Sequence, residues 1–370
     1  MKRLIIFLTI LIFLSGCTNN SNKLTEYSKT SIDSGFNTFI NIVGYCDSEE
    51  TFNKYYNEGI SAFQYYNQLF DIYNNYQDLN NLKTINDNAG IQAVKVDSSI
   101  IELLLQAKAF SELSNGFFDI TAGAVISLWH DARIASQDLN NNGENGFLPD
   151  INALENASKH IGFENVIIDE ENKTVFITDA NTQIDVGGIA KGFAAEKIAQ
   201  QLENDGLEYG VVNAGGNNRI INSKPDGSQF VVGIENPSFK TPTLLSVTAN
   251  DDSLSFVTSG DYQNYFWIDD ANYNHIINLN TLYPADYYHS VTVICKNSTY
   301  ADALSTSLFS LSYEEGTDLI TAFNDEHPDN QVAAIWVMDP SKQFTTDYGQ
   351  IVQDYFVVYT ANLENEVIIP

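Results

Sequence analysis

A turn with two adjacent glycines that continues into a helix lies at the centre of the chain and constrains its fold most. The helix is predicted from about Ile189 to Glu203, because apolar side chains recur there at helical spacing and Gly206 supplies a stop. Gly187 and Gly188 let the backbone approach a ligand closely, and the first helical N–H groups can face an anion. Glycine-rich turns before helices are common, so this segment alone leaves the ligand open.

Hydrophobic patterns along the rest of the chain predict an α+β fold. Further helices are predicted near residues 51–70, 97–114 and 300–311, and residues 137–150 are predicted to form a polar surface loop. Strands mix with these helices without a regular βαβ alternation, which favours α+β over α/β. The predicted strands are residues 36–45, 165–169, 174–178, 211–214, 229–234, 244–249, 265–269, 290–295, 331–338 and 351–359.

The charge balance limits the ligands that this chain can bind. The 370 residues carry a formal net charge of −30, with a hydrophobic content of 44% that is typical of a globular protein. Such a surface repels phosphate backbones, so the sequence argues against nucleic-acid binding. An anionic ligand must therefore be neutralised locally by a metal ion, a lysine or backbone dipoles.

The N-terminus has the pattern of an export signal. A basic start and a short apolar run lead to Leu14-Ser15-Gly16-Cys17, which resembles a bacterial lipobox. We therefore predict a lipoprotein signal peptide at residues 1–16, a lipid on Cys17, a flexible tether at residues 17–34 and one folded domain at residues 35–370. The alternative is a plain secretory signal with a fortuitous cysteine. The location predicted is the extracytoplasmic face of the cell membrane, reached through the lipid anchor.

Only two cysteines remain after Cys17. Cys46 and Cys295 could pair in an oxidising compartment, although cysteines so far apart in sequence more often lie singly in a core. Cys295 ends an apolar run that predicts a buried strand, so a nucleophilic role is not expected.

Asp302 and Thr306 are the strongest candidates for a metal site. They are four residues apart on a predicted helix, so both oxygens project from one face. A carboxylate and a hydroxyl suit Mg²⁺, which takes few protein ligands and completes its shell with substrate phosphates. Alternatively, the aspartate only stabilises the helix start and the threonine bonds a carbonyl one turn back.

Several segments, each ambiguous by itself, form a series along the chain. They are Tyr73 with Asn86, Gly116-Phe117-Phe118-Asp119-Ile120-Thr121-Ala122-Gly123 with Leu128-Trp129, Asp185-Val186-Gly187-Gly188-Ile189-Ala190-Lys191-Gly192, Asn213-Ala214-Gly215-Gly216, Thr258-Ser259-Gly260-Asp261-Tyr262, His275-Ile276-Ile277, and Ala301-Asp302-Ala303-Leu304-Ser305-Thr306. This series resembles the FAD:protein FMN transferases, the ApbE family, over roughly residues 35–340. The resemblance implies a two-lobed, T-fold-like α+β domain with mixed or antiparallel sheets and an FAD cleft between the lobes.

The resemblance also implies a site and a reaction. Mg²⁺ would be bound by Asp302, Thr306 and the carbonyl of Gly188, and the substrate FAD would be split to attach FMN to a Thr or Ser of an acceptor flavoprotein, with release of AMP. Asp302 and His275 are the expected catalytic residues, with His275 as the base. A magnesium-dependent FAD pyrophosphatase and a non-catalytic flavin-binding lipoprotein remain as alternatives. The residues expected to line the FAD site are Tyr73, Phe118, Asp119, Ile120, Thr121, Asp185, Lys191, His275 and Ile276.

The chain departs from the family pattern in two places. Asn278, Leu279 and Leu282 stand where the family often has Asp, Pro and Gly after the histidine. Asn217 and Asn218 follow the Gly-Gly pair where an acidic residue is common. The altered turn could indicate a different acceptor, slower transfer or hydrolysis of FAD.

Overall fold

The computed structural model describes residues 24–370. The predicted signal peptide and the predicted lipidation at Cys17 lie outside the described residues. Within residues 24–370, no helix is long and apolar enough to cross a membrane.

Eight helices and nineteen strands make up the described part of the chain. The helices are α1 (Glu49–Phe70), α2 (Leu82–Asp87), α3 (Ser98–Leu113), α4 (Gly123–Asn141), α5 (Ile151–Ser158), α6 (Ala190–Asn204), α7 (Ser298–Ser310) and α8 (Tyr313–Glu326). The strands are β1 (Thr25–Ser31), β2 (Ile40–Cys46), β3 (Val94–Lys95), β4 (Val166–Asp169), β5 (Thr174–Ile177), β6 (Gly210–Ala214), β7 (Asn217–Ile221), β8 (Val231–Glu235), β9 (Thr243–Thr248), β10 (Ser255–Gly260), β11 (Tyr265–Ile268), β12 (Ala271–Asn274), β13 (Ile277–Asn278), β14 (Tyr283–Pro284), β15 (Ser290–Cys295), β16 (Ala333–Met338), β17 (Gly349–Val352), β18 (Tyr355–Tyr359) and β19 (Val367–Ile368).

A nine-stranded antiparallel sheet forms the centre of the fold. Its strand order is β1-β2-β6-β7-β10-β15-β16-β18-β17, and its register is fixed by pairs such as Ile40 with Ala214 and Thr258 with Thr292. Helices α1 and α6 cover one face of β2 and β6 through Phe63 and Ile198, which are fully buried. The small sheet β19-β9-β8 covers the opposite face. The predicted α+β class with antiparallel sheets is confirmed.

A smaller lobe surrounds Trp129 on α4. Its core joins α4, α5 and the short strands β11 to β13 through side chains such as Phe266 and Ile277. The indole Nε1 of Trp129 donates a 2.8 Å hydrogen bond to the carbonyl of Leu282. This lobe therefore ties α4 to the turn that follows His275.

Three sequence predictions are wrong in their boundaries. Residues 25–31, predicted as tether, form β1, which pairs with β2 along its whole length at the sheet edge. The predicted loop at 137–150 begins later, because α4 continues to Asn141. The predicted strand at 351–359 is a hairpin of β17 and β18, with Gln353 at φ 51° in the turn between them.

The two cysteines of the folded part do not form a disulfide. Cys46 and Cys295 are both buried and free. Cys295 is fully buried at the end of β15, and burial raises the pKa of its thiol to about 12. A buried thiol with a raised pKa is a poor nucleophile, which agrees with the prediction that Cys295 has no nucleophilic role.

Candidate active site

Three oxygen donors meet where α7 passes the glycine turn before α6. Asp302 and Thr306 lie one turn apart on α7, and Thr306 Oγ1 is 3.5 Å from the carbonyl oxygen of Gly188. Asp302 is only 4% exposed, whereas Thr306 is partly exposed. A Cβ at position 188 would lie 3.1 Å from both Thr306 Oγ1 and Cγ2 and 3.2 Å from the ring of Phe118. Glycine at 188 therefore keeps the space beside these donors open.

Asp302 is held in place by the first turn of α6. The backbone N–H of Gly192 donates a 2.7 Å hydrogen bond to Asp302 Oδ2. The two helices approach so closely that a Cβ on Gly192 would lie 2.3 Å from the carbonyl oxygen of Ser298. This contact orients the carboxylate and leaves Oδ1 without a hydrogen-bond partner among residues 24–370.

A second contact between the same helices lies one turn further along α6. Glu196 Oε2 accepts a 2.8 Å hydrogen bond from the N–H of Ser298, the first residue of α7. The same oxygen accepts a 3.0 Å bond from Nε of Arg219 on β7, in a buried ion pair. Because a buried carboxylate without these partners would be costly, the network fixes the start of α7 relative to the sheet.

The segment that carries Asp185 is attached to the fold by backbone contacts on both sides. The side-chain amide of Asn86 donates from Nδ2 to the carbonyl of Ile184 at 2.9 Å, and its Oδ1 accepts from the N–H of Ile184 at 2.8 Å. The N–H of Asp185 donates to the carbonyl of Ile120 at 2.7 Å. Asp185 Oδ1 accepts a 2.8 Å bond from Gly187, and crowding by protein atoms raises the pKa of the Asp185 carboxyl. The side chain is thus positioned beside the glycine turn.

Side chains of α4 and of the loop after α1 form a second wall near Asp185, whose charge acts on Tyr73 and His130. The Tyr73 hydroxyl lies 3.5 Å from Nδ1 of His130, and their rings are 5.2 Å apart. Nη2 of Arg133 donates to the same Nδ1 at 3.2 Å, and Nη1 lies 3.5 Å from Oδ1 of Asn264. Tyr73 remains 57% exposed, so this wall is open to a ligand.

His275 is close enough to Lys191 and to Arg133 for both charges to act on it. Its side chain reaches solvent, yet protein atoms crowd it, and this desolvation together with the charges of Lys191 and Arg133 lowers its pKa to about 4. His275 is therefore a neutral imidazole at neutral pH, with a nitrogen able to accept a proton.

The donor set fits Mg²⁺ better than a transition metal. Residues 24–370 contain no group of three or more His, Cys, Asp or Glu side chains arranged around one point. A carboxylate, a hydroxyl and a backbone carbonyl are all hard oxygen donors, and Mg²⁺ usually takes only a few of these from the protein. Asp302, Thr306 and the Gly188 carbonyl could therefore hold a Mg²⁺ ion whose remaining ligands would be substrate oxygens and water.

The structure brings some of the predicted FAD-site residues together and places others in supporting positions. Tyr73, Asp185, Lys191 and His275 lie in one region around Arg133, since Asp185 and Arg133 act on Tyr73 while Lys191 and Arg133 act on His275. The Asp119 carboxylate instead accepts two bonds from Thr121, whose hydroxyl in turn accepts a 2.7 Å bond from the N–H of Gly162. The side chains of Phe118, Ile120 and Ile276 are buried in the main core. A ligand-contacting role for these five residues stays a prediction.

The amides at the start of α6 are less available to an anion than the sequence suggests. The N–H of Ala190 donates to the carbonyl of Val186, and that of Gly192 donates to Asp302. Lys191 makes no ion pair within residues 24–370, so its side chain is the main cation on this wall.

Sequence reasoning missed His130 and Arg133. Both lie one turn apart on α4, a helix that was not predicted, since only Leu128-Trp129 of it was singled out, as part of the family resemblance. The available signal was the i, i+3 spacing of two cationic-type side chains next to the buried Trp129. That spacing alone could not show that they face Tyr73, because the contact arises from tertiary packing.

The altered turn after His275 is well ordered by its own side chains. Oδ1 of Asn278 accepts bonds from the N–H groups of Asn280 and Thr281, and its Nδ2 donates to the carbonyl of Ser310. Leu282, which replaces the common glycine, has φ 62°. The turn therefore keeps a left-handed position although it carries a leucine, which costs about 1–2 kcal/mol.

Comparisons with known proteins agree with this geometry. The model of a family described as the ApbE family matches residues 36–334. A protein of Treponema pallidum (strain Nichols) named FAD:protein FMN transferase is 34% identical over 258 residues, which are 65% of this chain and 68% of that protein. A protein of the same name from Klebsiella pneumoniae (strain 342) is 30% identical over 259 residues, 67% of this chain and 76% of that protein.

Solved structures show the same fold. The ApbE protein of Thermotoga maritima MSB8 superposes with a TM-score of 0.71 at 28% identity, covering 85% of this chain and 94% of that one. The flavin transferase ApbE of Vibrio cholerae superposes with a TM-score of 0.70 at 21% identity, covering 93% of this chain and 99% of that one. The two-lobed arrangement predicted from the sequence is that of these structures.

Proposed function

The chain belongs to the ApbE family, and from this premise we propose that it is a magnesium-dependent FAD:protein FMN transferase. The observation that carries the proposal is the meeting of Asp302, Thr306 and the Gly188 carbonyl beside an unpaired Lys191. Relatives that bear the name FAD:protein FMN transferase support the same assignment.

In this mechanism FAD binds in the cleft with its pyrophosphate beside the glycine turn. Lys191 attracts the phosphates electrostatically, and glycine at 188 leaves room for them next to Thr306. Tyr73 and Asp185 contact the remainder of the dinucleotide, with the Asp185 carboxylate accepting a bond from a sugar-type hydroxyl. These contacts position the FMN-side phosphorus for attack.

Asp302, Thr306 and the Gly188 carbonyl would hold the magnesium ion. When bound, Mg²⁺ neutralises pyrophosphate charge and makes the phosphorus more electrophilic. The hydrogen bond from Gly192 fixes Asp302 Oδ2 and directs the other carboxylate oxygen away from that amide.

His275 takes part in the transfer as the base. The acceptor Thr or Ser hydroxyl oxygen forms a bond to the FMN-side phosphorus, the bond from that phosphorus to the bridging oxygen breaks, and AMP leaves with that oxygen. The hydroxyl proton passes to the neutral imidazole of His275, whose lowered pKa keeps it unprotonated.

Incubation of the purified protein with FAD, Mg²⁺ and a candidate acceptor protein tests the proposal. We expect AMP and an acceptor whose mass rises by one FMN unit, with in-gel flavin fluorescence at the acceptor band. FMN alone should not label, because it has no AMP leaving group. AMP with free FMN would favour the pyrophosphatase alternative, unchanged FAD would favour a non-catalytic flavin-binding protein, and labelling from FMN alone would refute the mechanism.

We propose further that Cys17 is lipidated and holds the enzyme at the extracytoplasmic face of the cell membrane. The supporting observation is the order of basic start, apolar run and Leu14-Ser15-Gly16-Cys17. Cys17→Ser should move the protein from the membrane fraction to the soluble fraction, since stable anchoring needs more than one acyl chain and all of them depend on this residue. Unchanged fractionation with an unprocessed N-terminus would contradict the proposal.

A further inference from the structure

Arg133 is a half-buried cation without a carboxylate partner in a strongly acidic protein. The chain contains only three arginines, and Arg3 belongs to the N-terminal basic start. Arg219 is buried in an ion pair with Glu196, with Glu203 nearby. Arg133 makes no ion pair within residues 24–370, although the sequence has 48 acidic residues. Its isolation therefore calls for a separate explanation.

The neighbours of Arg133 satisfy little of its hydrogen-bonding capacity. Nη2 donates to Nδ1 of His130 at 3.2 Å, and Nη1 has only a 3.5 Å approach to Oδ1 of Asn264. Desolvation lowers the pKa of the guanidinium, and no carboxylate opposes that effect. A guanidinium has five N–H donors, so most of them are available to a ligand.

The carboxylates near this wall act on other groups. Asp131 and Asp185 influence the titration of Tyr73 and His130. Asp185 also accepts a hydrogen bond from Gly187. A ligand anion at Arg133 would therefore not have to displace a protein carboxylate.

We propose that Arg133 binds a phosphate of FAD from the wall of the cleft that α4 forms. This rests on the proposed function. Lys191 beside the glycine turn and Arg133 on α4 both act electrostatically on His275, so the two cations lie near the same part of the cleft. A pyrophosphate has two adjacent anionic groups, and arginine binds phosphate with two parallel N–H bonds where lysine provides a point charge. The two cations together match one dinucleotide pyrophosphate.

Binding measurements on the full mature chain test this inference without relying on transfer. Arg133→Gln is compared with Lys108→Gln, which removes the same charge from an exposed, weakly paired lysine on α3. Affinities for FAD, FMN and riboflavin are measured by flavin fluorescence, and the affinity for AMP is measured by competition, with and without Mg²⁺. We expect Arg133→Gln to weaken FAD binding about tenfold or more while riboflavin binding stays unchanged.

The mononucleotides show which phosphate Arg133 contacts. If Arg133→Gln loses as much affinity for FMN as for FAD, Arg133 contacts the FMN-side phosphate. If it instead loses as much affinity for AMP, Arg133 contacts the phosphate of the leaving group. Arg133→Lys should recover part of the FAD affinity, because it restores the charge but not the paired N–H geometry.

Either of two results would overturn this inference and leave the proposed function untouched. One is an FAD affinity of Arg133→Gln equal to that of Lys108→Gln. The other is an equal loss for riboflavin, which would indicate damage to the ring pocket or the fold. Failure of the unmodified protein to bind FAD would instead overturn the proposed function as well.

Discussion

Gly192→Ala tests whether the close approach of α6 and α7 builds the site. The added Cβ would lie 2.3 Å from the Ser298 carbonyl oxygen and 2.5 Å from Asp302 Cβ. Real Cβ contacts essentially never fall below 3.0 Å, so the helices must separate by at least about 0.7 Å at this point. The obstacle is backbone, which cannot rotate away as a side chain can.

The expected cost follows from three contributions. Overpacking costs about 1–3 kcal/mol, and the charged Gly192–Asp302 hydrogen bond contributes about 1.5–3 kcal/mol that would be weakened or lost. Replacing a helical glycine by alanine returns about 0.5–1 kcal/mol. We therefore expect a loss of about 2–5 kcal/mol in the free energy of unfolding. Displacing Asp302 by this amount relative to Gly188 should lower AMP release about a hundredfold.

Urea unfolding and AMP release at a series of Mg²⁺ concentrations measure these effects. Gly316→Ala on α8 is the matched control, because its Cβ would meet no backbone, only the tip of the Leu308 side chain at 3.2 Å and the Trp336 ring at an ordinary 3.9 Å. The control should keep full activity, and its free energy of unfolding should rise by up to about 1 kcal/mol. If Gly192→Ala were as stable and as active as Gly316→Ala, the reasoning about this helix contact would be wrong.

Two further predictions concern the chemistry of the cleft. Asp302→Asn should fold normally but lose most AMP release, because it removes the ligand charge with little change in volume. Thr306→Val should lower AMP release less, because it removes a neutral ligand. Near-normal AMP release by Asp302→Asn at sub-saturating Mg²⁺ would contradict the metal assignment. The pKa of His275 is lowered to about 4, so its neutral form remains until the pH falls close to that value. We therefore expect kcat/KM to stay level from pH 7 to about 5 and to fall as the pH approaches 4. A histidine with the ordinary pKa would instead lose its basic form near pH 6.5. The same shift makes the folded state lose stability as pH falls from 6.5 towards 4, since the unfolded chain binds the proton more readily. Arg133→Gln should move the acid-side fall of kcat/KM to higher pH, because the Arg133 charge helps to lower the pKa of His275. If kcat/KM of the unmodified enzyme fell near pH 6.5, that would argue against His275 as the base.

The sequence predicts the elements that carry the metal donors because their patterns are local. The predicted helix at 189–203 is observed as α6, and the predicted helix at 300–311 is observed as α7 (Ser298–Ser310). In both cases apolar residues at helical spacing and a defined start or stop were sufficient. The meeting of Gly188 with Thr306 could be expected only from the family resemblance.

Elements stabilised by distant contacts were missed for physical reasons. β1 is mostly exposed and polar, so it has no apolar alternation, and its pairing with β2 is not visible in its own sequence. The end of α4 is rich in polar residues, but Gln137 and Asn140 donate hydrogen bonds to the carbonyls of Tyr265 and Trp267. Those contacts join segments more than a hundred residues apart, and the same is true of the approach of Arg133 to Asn264.

If Cys17 carries the proposed lipid, the position of β1 limits how far the enzyme can move from the bilayer. An anchor at Cys17 leaves only residues 18–24 before the sheet begins at Thr25. Fully extended, this span reaches roughly 28 Å, which is less than the width of about 40–50 Å expected for a domain of this size. The anchored domain would therefore rotate close to the membrane surface and would not reach far from it. An acceptor would have to present its hydroxyl within the combined reach of the span and the domain, roughly 70–80 Å from the lipid surface, so acceptors held close to the membrane are favoured over freely diffusing ones.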